Sequence, residues 1–494
     1  MRKLVTPPTG WELLPVVAYP LSLLVGVVAI SMLACAGVGV LMASTVGAMN
    51  MAVSAGLTAA VGIGLRMAGR KHTKHIMGRS EALLMVTLSW FTVGFVGAIP
   101  FLVGASFSVP DALFESFSGF TTTGATIMVE IESALDPALH FWRVLMHWLG
   151  GVGIVVLFVA VFPALGVGGR HLFYTEAAGP KSKGLSPRIR ERSSILWRVY
   201  LIITLLEVGL LKLTGLSLFD SAVHSLSTMG TGGFSTLNSS VGGYGNHAAE
   251  WVILLFMVIA GTNFMLYPSA LKHGPKVFLR HTETRVYLAI FLVVSVICAI
   301  SILPERANIA EASRDGAFQV AAIMTTTGFG TDDYEVWPTL PKMLLMALFF
   351  IGGSSGSTAG GMKVHRIIVL VKAAVAEARR SFRPQLVRPL RVGGAVVSKE
   401  AVREVFAFCA LFAFTVVAGA IAVAAIDPVD GTTAVMASLA CVANVGPGLG
   451  MVGPTDNFAF FSGSTKLILS GLMVLGRLEI LAVVALVMPS FWRK

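Results

Sequence analysis

The chain has 494 residues, of which 55% are hydrophobic and only 13% are charged. A soluble protein of this length carries about 25% charged residues, so the composition excludes a water-soluble globular protein. The formal net charge of +11 is concentrated in alternate connections between apolar stretches, which argues against nucleic acid as a partner. Apolar stretches of about 20 residues recur along the chain and predict an all-α polytopic membrane protein.

Ten of these stretches are predicted to span a membrane. They lie at about 13–38, 41–65, 81–104, 140–168, 195–216, 250–270, 285–303, 341–371, 404–426 and 466–490. Most Lys and Arg residues fall in alternate connections, above all at 170–192 and 363–403, whereas the opposite connections are acidic and contain only Arg306 and Arg314. Basic connections stay on the cytoplasmic side. We therefore expect a multi-pass protein in a lipid membrane, with both termini in the cytoplasm.

Four short apolar segments lie on the predicted outer side, and each runs into a glycine-centred loop. They are SFSGFTTTGAT at 116–126, HSLSTMGTGGF at 224–234, VAAIMTTTGFG at 320–330 and SLACVANVGPG at 438–448. A helix of about 10–12 residues covers only half a bilayer, so each segment is expected to enter and leave from the outside. Acidic residues near the starts suit the first turn of a helix. These residues are Asp111, Asp220, Asp315 and Asp430.

Four such loops around one axis would present backbone carbonyl groups to a dehydrated cation. The threonines before the glycines add hydroxyl oxygens, and an oxygen ring without carboxylates favours a monovalent cation over Ca²⁺ or Mg²⁺. Gly and Thr can also simply mark extracellular turns, but four gap-free matches favour the ring. The candidate ring residues are Thr122, Thr123, Gly124, Thr231, Gly232, Thr326, Thr327, Gly328, Asn444, Val445 and Gly446, with Gly124, Gly232, Gly328 and Gly446 aligned.

Ten consecutive small residues interrupt the predicted eighth span. They are Gly352, Gly353, Ser354, Ser355, Gly356, Ser357, Thr358, Ala359, Gly360 and Gly361. Each glycine in a helix interior costs roughly 1 kcal/mol relative to alanine, so the helix is expected to break deep in the membrane. The alternative is close helix–helix packing through small residues.

Charged residues accompany this break and the last apolar stretch. Arg477 lies in the last stretch with Glu479 beside it. An ionisable residue at membrane depth is a candidate functional residue, and local pairing for packing is the alternative. Lys363 and Arg366 end the interrupted span, and we interpret them as cytoplasmic anchors whose charged groups reach the interface.

Three further strings make a family resemblance specific. They are WRVLMHWLGGVGI at 142–154, GGSSGSTAGGMKVHR at 352–366 and LGRLEILAVVALVMPSFWR at 475–493. Together with the four loops, they resemble the TrkH/KtrB/HKT superfamily of potassium transporters, and the extra N-terminal hairpin resembles its TrkH branch. The resemblance implies four pseudo-symmetric helix–pore-loop–helix repeats around one central pore, plus an N-terminal two-helix hairpin.

The same resemblance sets the expected domain boundaries. An N-terminal transmembrane hairpin would occupy residues 1–70. Four pore repeats would follow at 71–192, 193–280, 281–400 and 401–494, with an intramembrane gating loop in the third.

The resemblance also implies a function. It implies K⁺ uptake through a selectivity filter with one glycine per repeat, and Gly124 stands where Na⁺-preferring relatives carry serine. K⁺ and Rb⁺ are then the expected ions, with no bound cofactor. It further implies a gate formed by Gly352–Gly361 and by Arg477 facing the pore. The expected partners are a second copy of the chain and a cytosolic TrkA-like ring that binds nucleotides. The expected location is the bacterial cytoplasmic (inner) membrane.

Two alternatives stay open. A symporter coupled to H⁺ or Na⁺ would need a carboxylate in mid-membrane, and Glu207 is the one candidate in the middle of a predicted span. An integral-membrane enzyme would need clustered reactive side chains. The sequence shows no such cluster, and the four cysteines are scattered. We therefore predict that the chain is not an enzyme.

Overall fold

The computed structural model describes residues 13–72, 79–156, 187–385 and 389–492, and the regular structure in these ranges is almost entirely α-helical. Six of the described helical segments are long and apolar enough to cross a bilayer, and a bent pair at 463–477 and 481–487 gives a seventh. The six are Leu13–Leu41, Thr45–His72, Ser80–Gly104, Ser193–Leu213, Thr282–Glu305 and Lys399–Ile426. The fold class is therefore that of a polytopic all-α membrane protein, as predicted.

The N-terminal hairpin consists of α1 (Leu13–Leu41) and α2 (Thr45–Gly69), followed by a 3₁₀ turn at Arg70–His72. Ser44 caps α2, because its hydroxyl accepts a hydrogen bond from the Gly47 amide at 3.3 Å. A Cβ atom at Gly47 would overlap the Asp136 carboxylate. This close approach seats the hairpin against the first repeat.

Four units follow the hairpin, and each contains a long helix, a short helix and a further helix in the same order, with smaller elements between them. The first contains α3 (Arg79–Gly97), α4 (Ile99–Gly104), α5 (Val109–Phe120), α6 (Ile131–Ala134) and α7 (Pro137–Val156). The second contains α8 (Pro187–Leu213), α9 (Leu218–Gly230), a 3₁₀ turn (Ser240–Tyr244), α10 (His247–Ala260), α11 (Leu266–His273) and α12 (Lys276–Arg280).

The third and fourth units repeat this order. The third contains α13 (Thr282–Ile302), a 3₁₀ turn (Leu303–Glu305), α14 (Ile309–Met324), α15 (Thr339–Phe349) and α16 (Val364–Phe382). The antiparallel pair β1 (Arg391–Val392) and β2 (Ala395–Val396) precedes the fourth unit. That unit contains α17 (Lys399–Ile426), α18 (Gly431–Ala443), α19 (Gly463–Arg477), α20 (Leu481–Val487) and α21 (Pro489–Trp492).

The short helices α5, α9, α14 and α18 each begin at a side-chain cap. The caps are Ser108, Ser217, Asn308 and Asp430, each accepting from a backbone amide of the first turn. Asp111 and Asp220 lie in the first turn as predicted. The prediction was wrong for Asp315, because α14 starts at Ile309 and places Glu311 in its first turn. Asp315 instead accepts a hydrogen bond from Arg306 at 2.9 Å.

Three predicted spans are interrupted, although only one break was predicted. The predicted eighth span breaks between Phe349 and Val364, as its glycines indicated. The predicted spans 250–270 and 466–490 were wrong as continuous helices. The first ends at Ala260 and resumes at Leu266, and the last bends by 114° between Arg477 and Leu481. The predicted span 140–168 is described only as far as Val156, and its remainder lies outside the described residues.

The four units contact one another in chain order, and the last returns to the first. Helix α7 packs on α9, α10 on α14, α15 on α18, and α19 on α5. An ion pair closes the circle, because the Lys466 ammonium on α19 lies 2.6 Å from the Asp111 carboxylate on α5. The short helices are therefore held in one closed arrangement.

We expect Lys466→Met to lower the stability of the purified chain. The substitution keeps the length of the side chain but leaves Asp111 without its cation, at an expected cost of about 1–3 kcal/mol in the free energy of unfolding. The measurement is the melting temperature in detergent. The matched control is Arg380→Met, which breaks the exposed Glu377–Arg380 pair of 3.3 Å and is expected to cost below about 0.5 kcal/mol. Equal melting temperatures for the two variants would contradict the role of the Asp111–Lys466 pair.

Candidate functional site

The four loops share one backbone conformation. In each loop the first residue of a three-residue stretch has a φ of 55–56° and the third, a glycine, has a φ of 75–95°. The stretches are Thr122–Gly124, Thr231–Gly233, Thr326–Gly328 and Asn444–Gly446. We call these twelve residues the carbonyl ring. Glycine is favoured at the third position because its φ of 75–95° lies beyond the left-handed helical values that Thr and Asn adopt at the first position.

The four stretches also touch one another in cyclic order. A Cβ atom on each glycine would lie closer than 3.0 Å to a carbonyl oxygen of the next loop. The pairs are Gly124 with Gly232, Gly233 with Thr327, Gly328 with Val445, and Gly446 with Thr123. In every pair the carbonyl belongs to the residue that precedes the next glycine. Four loops from distant parts of the chain therefore form one closed ring of backbone.

The predicted alignment was wrong by one residue in the second loop. Gly233, and not Gly232, has the positive φ and the cyclic contact that Gly124 has in the first loop. Two adjacent glycines make both alignments compatible with the sequence. Gly232 has a separate reason to be glycine, because a Cβ atom there would overlap the imidazole ring of His147. That ring stacks on Phe234 with centroids 4.1 Å apart.

The threonine hydroxyls of the ring do not play equivalent parts. The Thr123 hydroxyl lies 2.8 Å from that of Thr121 and accepts from the Asn444 side-chain amide at 3.0 Å. The Thr327 hydroxyl lies 2.7 Å from that of Thr325. These hydroxyls are thus engaged in holding the loops.

The first position of each stretch behaves differently. The Thr326 hydroxyl accepts a hydrogen bond from the Gly360 amide at 2.6 Å. The Thr122 hydroxyl is fully buried and has no hydrogen-bond partner in the structure. The Thr231 hydroxyl donates to the carbonyl of Gly230 at 2.6 Å. The hydroxyls at this equivalent position therefore differ in their hydrogen bonding from loop to loop.

A buried ion pair behind the ring was not predicted from the sequence. The Arg143 Nε atom on α7 lies 2.5 Å from the Glu115 carboxylate on α5, and both side chains are almost fully buried. Glu115 also accepts from the Ile127 amide at 3.2 Å, and Arg143 donates to the Ser235 carbonyl at 3.2 Å. The pair joins the chain beyond the first loop to the chain beyond the second. Two ionisable residues among apolar neighbours were the signal that could have found it.

The residues Gly352–Gly361, which we call the intramembrane segment, form no regular helix between α15 and α16. Residues 352–360 are all buried. Gly352, Gly356 and Gly361 have φ values of 70–75°. The prediction of a broken helix is therefore confirmed, and the alternative of a continuous helix packed through small residues is wrong.

The break in the second repeat supports this segment. The Ser354 amide donates to the Gly261 carbonyl at 2.9 Å, and the Phe264 amide donates to the Gly356 carbonyl at 3.1 Å. The Thr358 hydroxyl donates to the Ala260 carbonyl at 3.2 Å. Backbone groups freed at one break thus pair with those freed at the other, as backbone away from water requires.

Three cationic side chains converge on the same region. Arg477 is buried and donates to the Thr358 carbonyl at 2.8 Å. The Lys363 ammonium donates to the Ala359 carbonyl, and Arg366 donates to the Glu479 carboxylate at 2.6 Å.

The interpretation of Lys363 and Arg366 as anchors reaching the interface was wrong. Their exposed fractions are only 3% and 6%. Both charges have partners inside the protein: Lys363 donates to the Ala359 carbonyl and Arg366 to the Glu479 carboxylate. Their positions near a helix end therefore did not predict that these side chains are buried.

The predicted outer acids are mostly engaged by partners. Asp220 accepts from the Tyr244 hydroxyl at 2.8 Å, and Asp332 pairs with Arg306. Glu335, in the loop before α15, accepts from the Gly450 amide, and burial together with nearby Asp333 raises the pKa of its carboxyl. These acids therefore hold the loops that were predicted to lie on the outer side.

The site offers oxygen atoms and little reactive chemistry. Within the described ranges, no group of three or more His, Cys, Asp or Glu side chains is placed to hold a metal ion. The four cysteines are unpaired in the structure. What the geometry provides is a closed ring of backbone carbonyls, with the intramembrane segment bonded to its third loop. Such an arrangement suits the passage of a dehydrated cation.

Comparison with known proteins gives a consistent result. A family model described as "TrkH: Cation transport protein" matches residues 48–494. The Trk system potassium uptake protein TrkH of Salmonella typhimurium is 38% identical over 422 residues, covering 84% of this chain and 86% of that protein. The protein of the same name from Escherichia coli K12 is 36% identical over 441 residues, covering 88% and 90%.

A solved structure extends the similarity to the fold. The crystal structure of the potassium transporter TrkH from Vibrio parahaemolyticus superposes with a TM-score of 0.88 at 32% sequence identity. The match covers 97% of this chain and 99% of that one. The similarity therefore includes all four repeats and is not confined to one motif.

The two adjacent glycines of the second loop are expected to respond differently to alanine. Gly233→Ala adds a methyl group against the Thr327 carbonyl at positive φ, whereas Gly232→Ala adds it against the His147 side chain. Each is expected to cost about 1–3 kcal/mol of stability. His147→Ala makes room only beside residue 232.

The check is a double-mutant cycle on melting temperature. The loss of stability caused by Gly232→Ala should be smaller by about 0.5–3 kcal/mol when His147 is also replaced by alanine. The loss caused by Gly233→Ala should be the same with and without His147. Equal relief of both alanines, or of neither, would count against the assigned register.

Proposed function

The chain belongs to the TrkH family of cation transport proteins, and we propose that it carries K⁺ into the cell across the bacterial cytoplasmic membrane. The observation that carries the proposal is the closed ring of carbonyl groups from four loops, each joined to the next by a glycine that has no room for a side chain. The relatives are named as potassium uptake proteins, which are transporters and not enzymes. K⁺ is then the cargo, and Rb⁺ is expected to follow it.

We propose that the carbonyl ring is the selectivity filter. Carbonyl oxygens replace the hydration shell of an ion that enters such a ring. The residues proposed to supply them are Thr122, Thr123, Gly124, Thr231, Gly232, Gly233, Thr326, Thr327, Gly328, Asn444, Val445 and Gly446. Val445 and Gly446 can contribute only backbone oxygens, which fits selection by carbonyl groups. Glycine at position 124 supports K⁺ over Na⁺ as the preferred ion.

We propose that the intramembrane segment Gly352–Gly361 and Arg477 form the gate. The segment is buried, lacks regular structure and is bonded to the ring at Gly360. The guanidinium group of Arg477 reaches the segment through the Thr358 carbonyl. A positive charge at this place would repel a cation that leaves the ring. A movement of the segment would therefore open the path to the cytoplasm.

Partners and boundaries are proposed on the same basis. The chain would act as a homodimer regulated by a cytosolic TrkA-like nucleotide-binding ring, with both termini in the cytoplasm. The basic region 363–403, which includes α16 and the β1–β2 pair, is the proposed docking surface. Residues 1–70 would form the hairpin, and repeats would occupy 71–192, 193–280, 281–400 and 401–494.

Ion-coupled symport is a second candidate, favoured by one observation. Glu207 lies in the C-terminal half of α8 and is fully buried, with the Thr228 hydroxyl as a polar neighbour and no ion pair to its carboxylate among the described residues. A buried carboxylate without a cation is costly and is the kind of group that exchanges protons. Flux driven by a K⁺ gradient alone, with no H⁺ or Na⁺ gradient, would exclude obligatory coupling.

Growth at low external K⁺ tests the proposal directly. A bacterial strain without its own K⁺ uptake systems should grow when it expresses the full chain, because the ring admits K⁺. The matched control is Gly233→Val, which fills the ring against the Thr327 carbonyl. If cells with the chain in the membrane and the cytosolic ring co-expressed still fail to grow, the proposed function is wrong.

Selectivity tests the ring itself. Gly328→Ser places a Cβ atom against the Val445 carbonyl at a φ of 75°, so the carbonyls must shift at a strain of about 1–3 kcal/mol. We expect Na⁺ permeation to rise several-fold relative to K⁺ in reconstituted vesicles. The control is Gly330→Ser, because a Cβ atom there would meet nothing closer than 3.8 Å. An unchanged Na⁺/K⁺ ratio for Gly328→Ser would count against the filter assignment.

A further inference from the structure

The ring contains two equivalent threonines whose hydroxyls differ in their hydrogen bonding. Thr122 and Thr326 occupy equivalent positions, both have a φ of 56°, and both are fully buried. The Thr326 hydroxyl accepts from the Gly360 amide at 2.6 Å, whereas the Thr122 hydroxyl has no partner. The same side chain in the same backbone conformation thus meets the intramembrane segment in one loop and not in the other.

The segment fits tightly at this point. A Cβ atom at Gly360 would lie closer than 3.0 Å to the Ala443 carbonyl and would also crowd the Asn444 side chain. Gly360 is therefore seated between the third loop, which accepts its amide, and the fourth loop, which leaves no room for a side chain. The Gly360 amide donates to the Thr326 hydroxyl and not to the fourth loop, so Thr326 sets the orientation of this amide.

The other hydrogen bonds of the segment lead away from the ring. Ser354 bonds to Gly261, and the Ser355 amide donates to Glu283 at 2.7 Å, which ties the segment to the second repeat and to the start of α13. Arg477 holds the Thr358 carbonyl from the fourth repeat. Among the hydrogen bonds of the described residues, the Gly360–Thr326 bond is the one that links the segment to the carbonyl ring.

We infer that Thr326 is a positioning residue that holds the intramembrane segment closed against the ring through the Gly360 amide. This inference rests on the proposed function and adds the place where gate and filter are joined. Breaking the bond leaves a buried amide without an acceptor in the closed position. The closed position then loses stability relative to any position in which Gly360 has moved away from the ring.

The test compares Thr326→Val with Thr122→Val in the purified full-length chain reconstituted into vesicles. Valine keeps the branched shape and removes the hydroxyl at equivalent ring positions. The readout is Rb⁺ uptake with and without the cytosolic regulatory ring. Thr326→Val should raise the ratio of unstimulated to stimulated uptake by roughly ten-fold, the size expected for one unsatisfied buried amide. Thr122→Val should change both uptakes by the same factor.

Thr326→Ser and hydrogen exchange supply independent readouts. Serine retains the hydroxyl, so this variant should keep the wild-type ratio, and the peptide containing Gly360 should exchange faster in Thr326→Val than in Thr122→Val. The inference is overturned if the two valine variants change the ratio equally, or if serine raises it as valine does. It is also overturned if Gly360 exchange is the same in both valine variants. Absence of Rb⁺ uptake in the wild type under both conditions would instead overturn the proposed function.

Discussion

The structure depends on one constraint: backbone groups removed from water must find partners inside the protein. Helix breaks at 261–265 and 352–363 release amides and carbonyls deep within the molecule. The two breaks satisfy each other through Ser354 with Gly261 and Phe264 with Gly356. Neither irregular segment would be tolerated alone. The second and third repeats are therefore broken as a pair, and the unusual backbone of one explains that of the other.

Buried cations complete this arrangement. Carbonyls that the breaks leave over at Thr358 and Ala359 receive Arg477 and Lys363, while Arg366 reaches the Glu479 carboxylate. A buried charge is costly unless it is paired or hydrogen-bonded, so these cations need the freed carbonyls as much as the carbonyls need donors. The bend between Arg477 and Leu481 brings the fourth repeat next to the intramembrane segment. The fourth repeat therefore also helps to hold the segment in place.

The sequence predicted the features that depend on local composition and failed where distant partners decide. Apolar length located the six continuous spans, and the glycines located the four loops and the break at Gly352–Gly361. The break after Ala260 and the bend after Arg477 were missed because one glycine at each, Gly261 and Gly476, is a much weaker signal than ten small residues in a row. At these places the contacts that end the helix are supplied by the fold. The choice between Gly232 and Gly233 was undetermined because both are glycine. The Glu115–Arg143 pair joins residues far apart in sequence.

Backbone symmetry and side-chain asymmetry answer two different demands on the ring. In the proposed selectivity filter, uniform coordination of an ion requires four equal backbone stretches, and the cyclic glycine contacts enforce this equality by steric exclusion. A single intramembrane segment can bond to only part of a fourfold ring. The loops differ at the first ring position: Thr326 accepts from the Gly360 amide, whereas Asn444 donates to the Thr123 hydroxyl and to the Met473 carbonyl. Because the loops share one backbone conformation but differ in their side-chain hydrogen bonds, the intramembrane segment can bond to one loop without distorting the carbonyls of the ring.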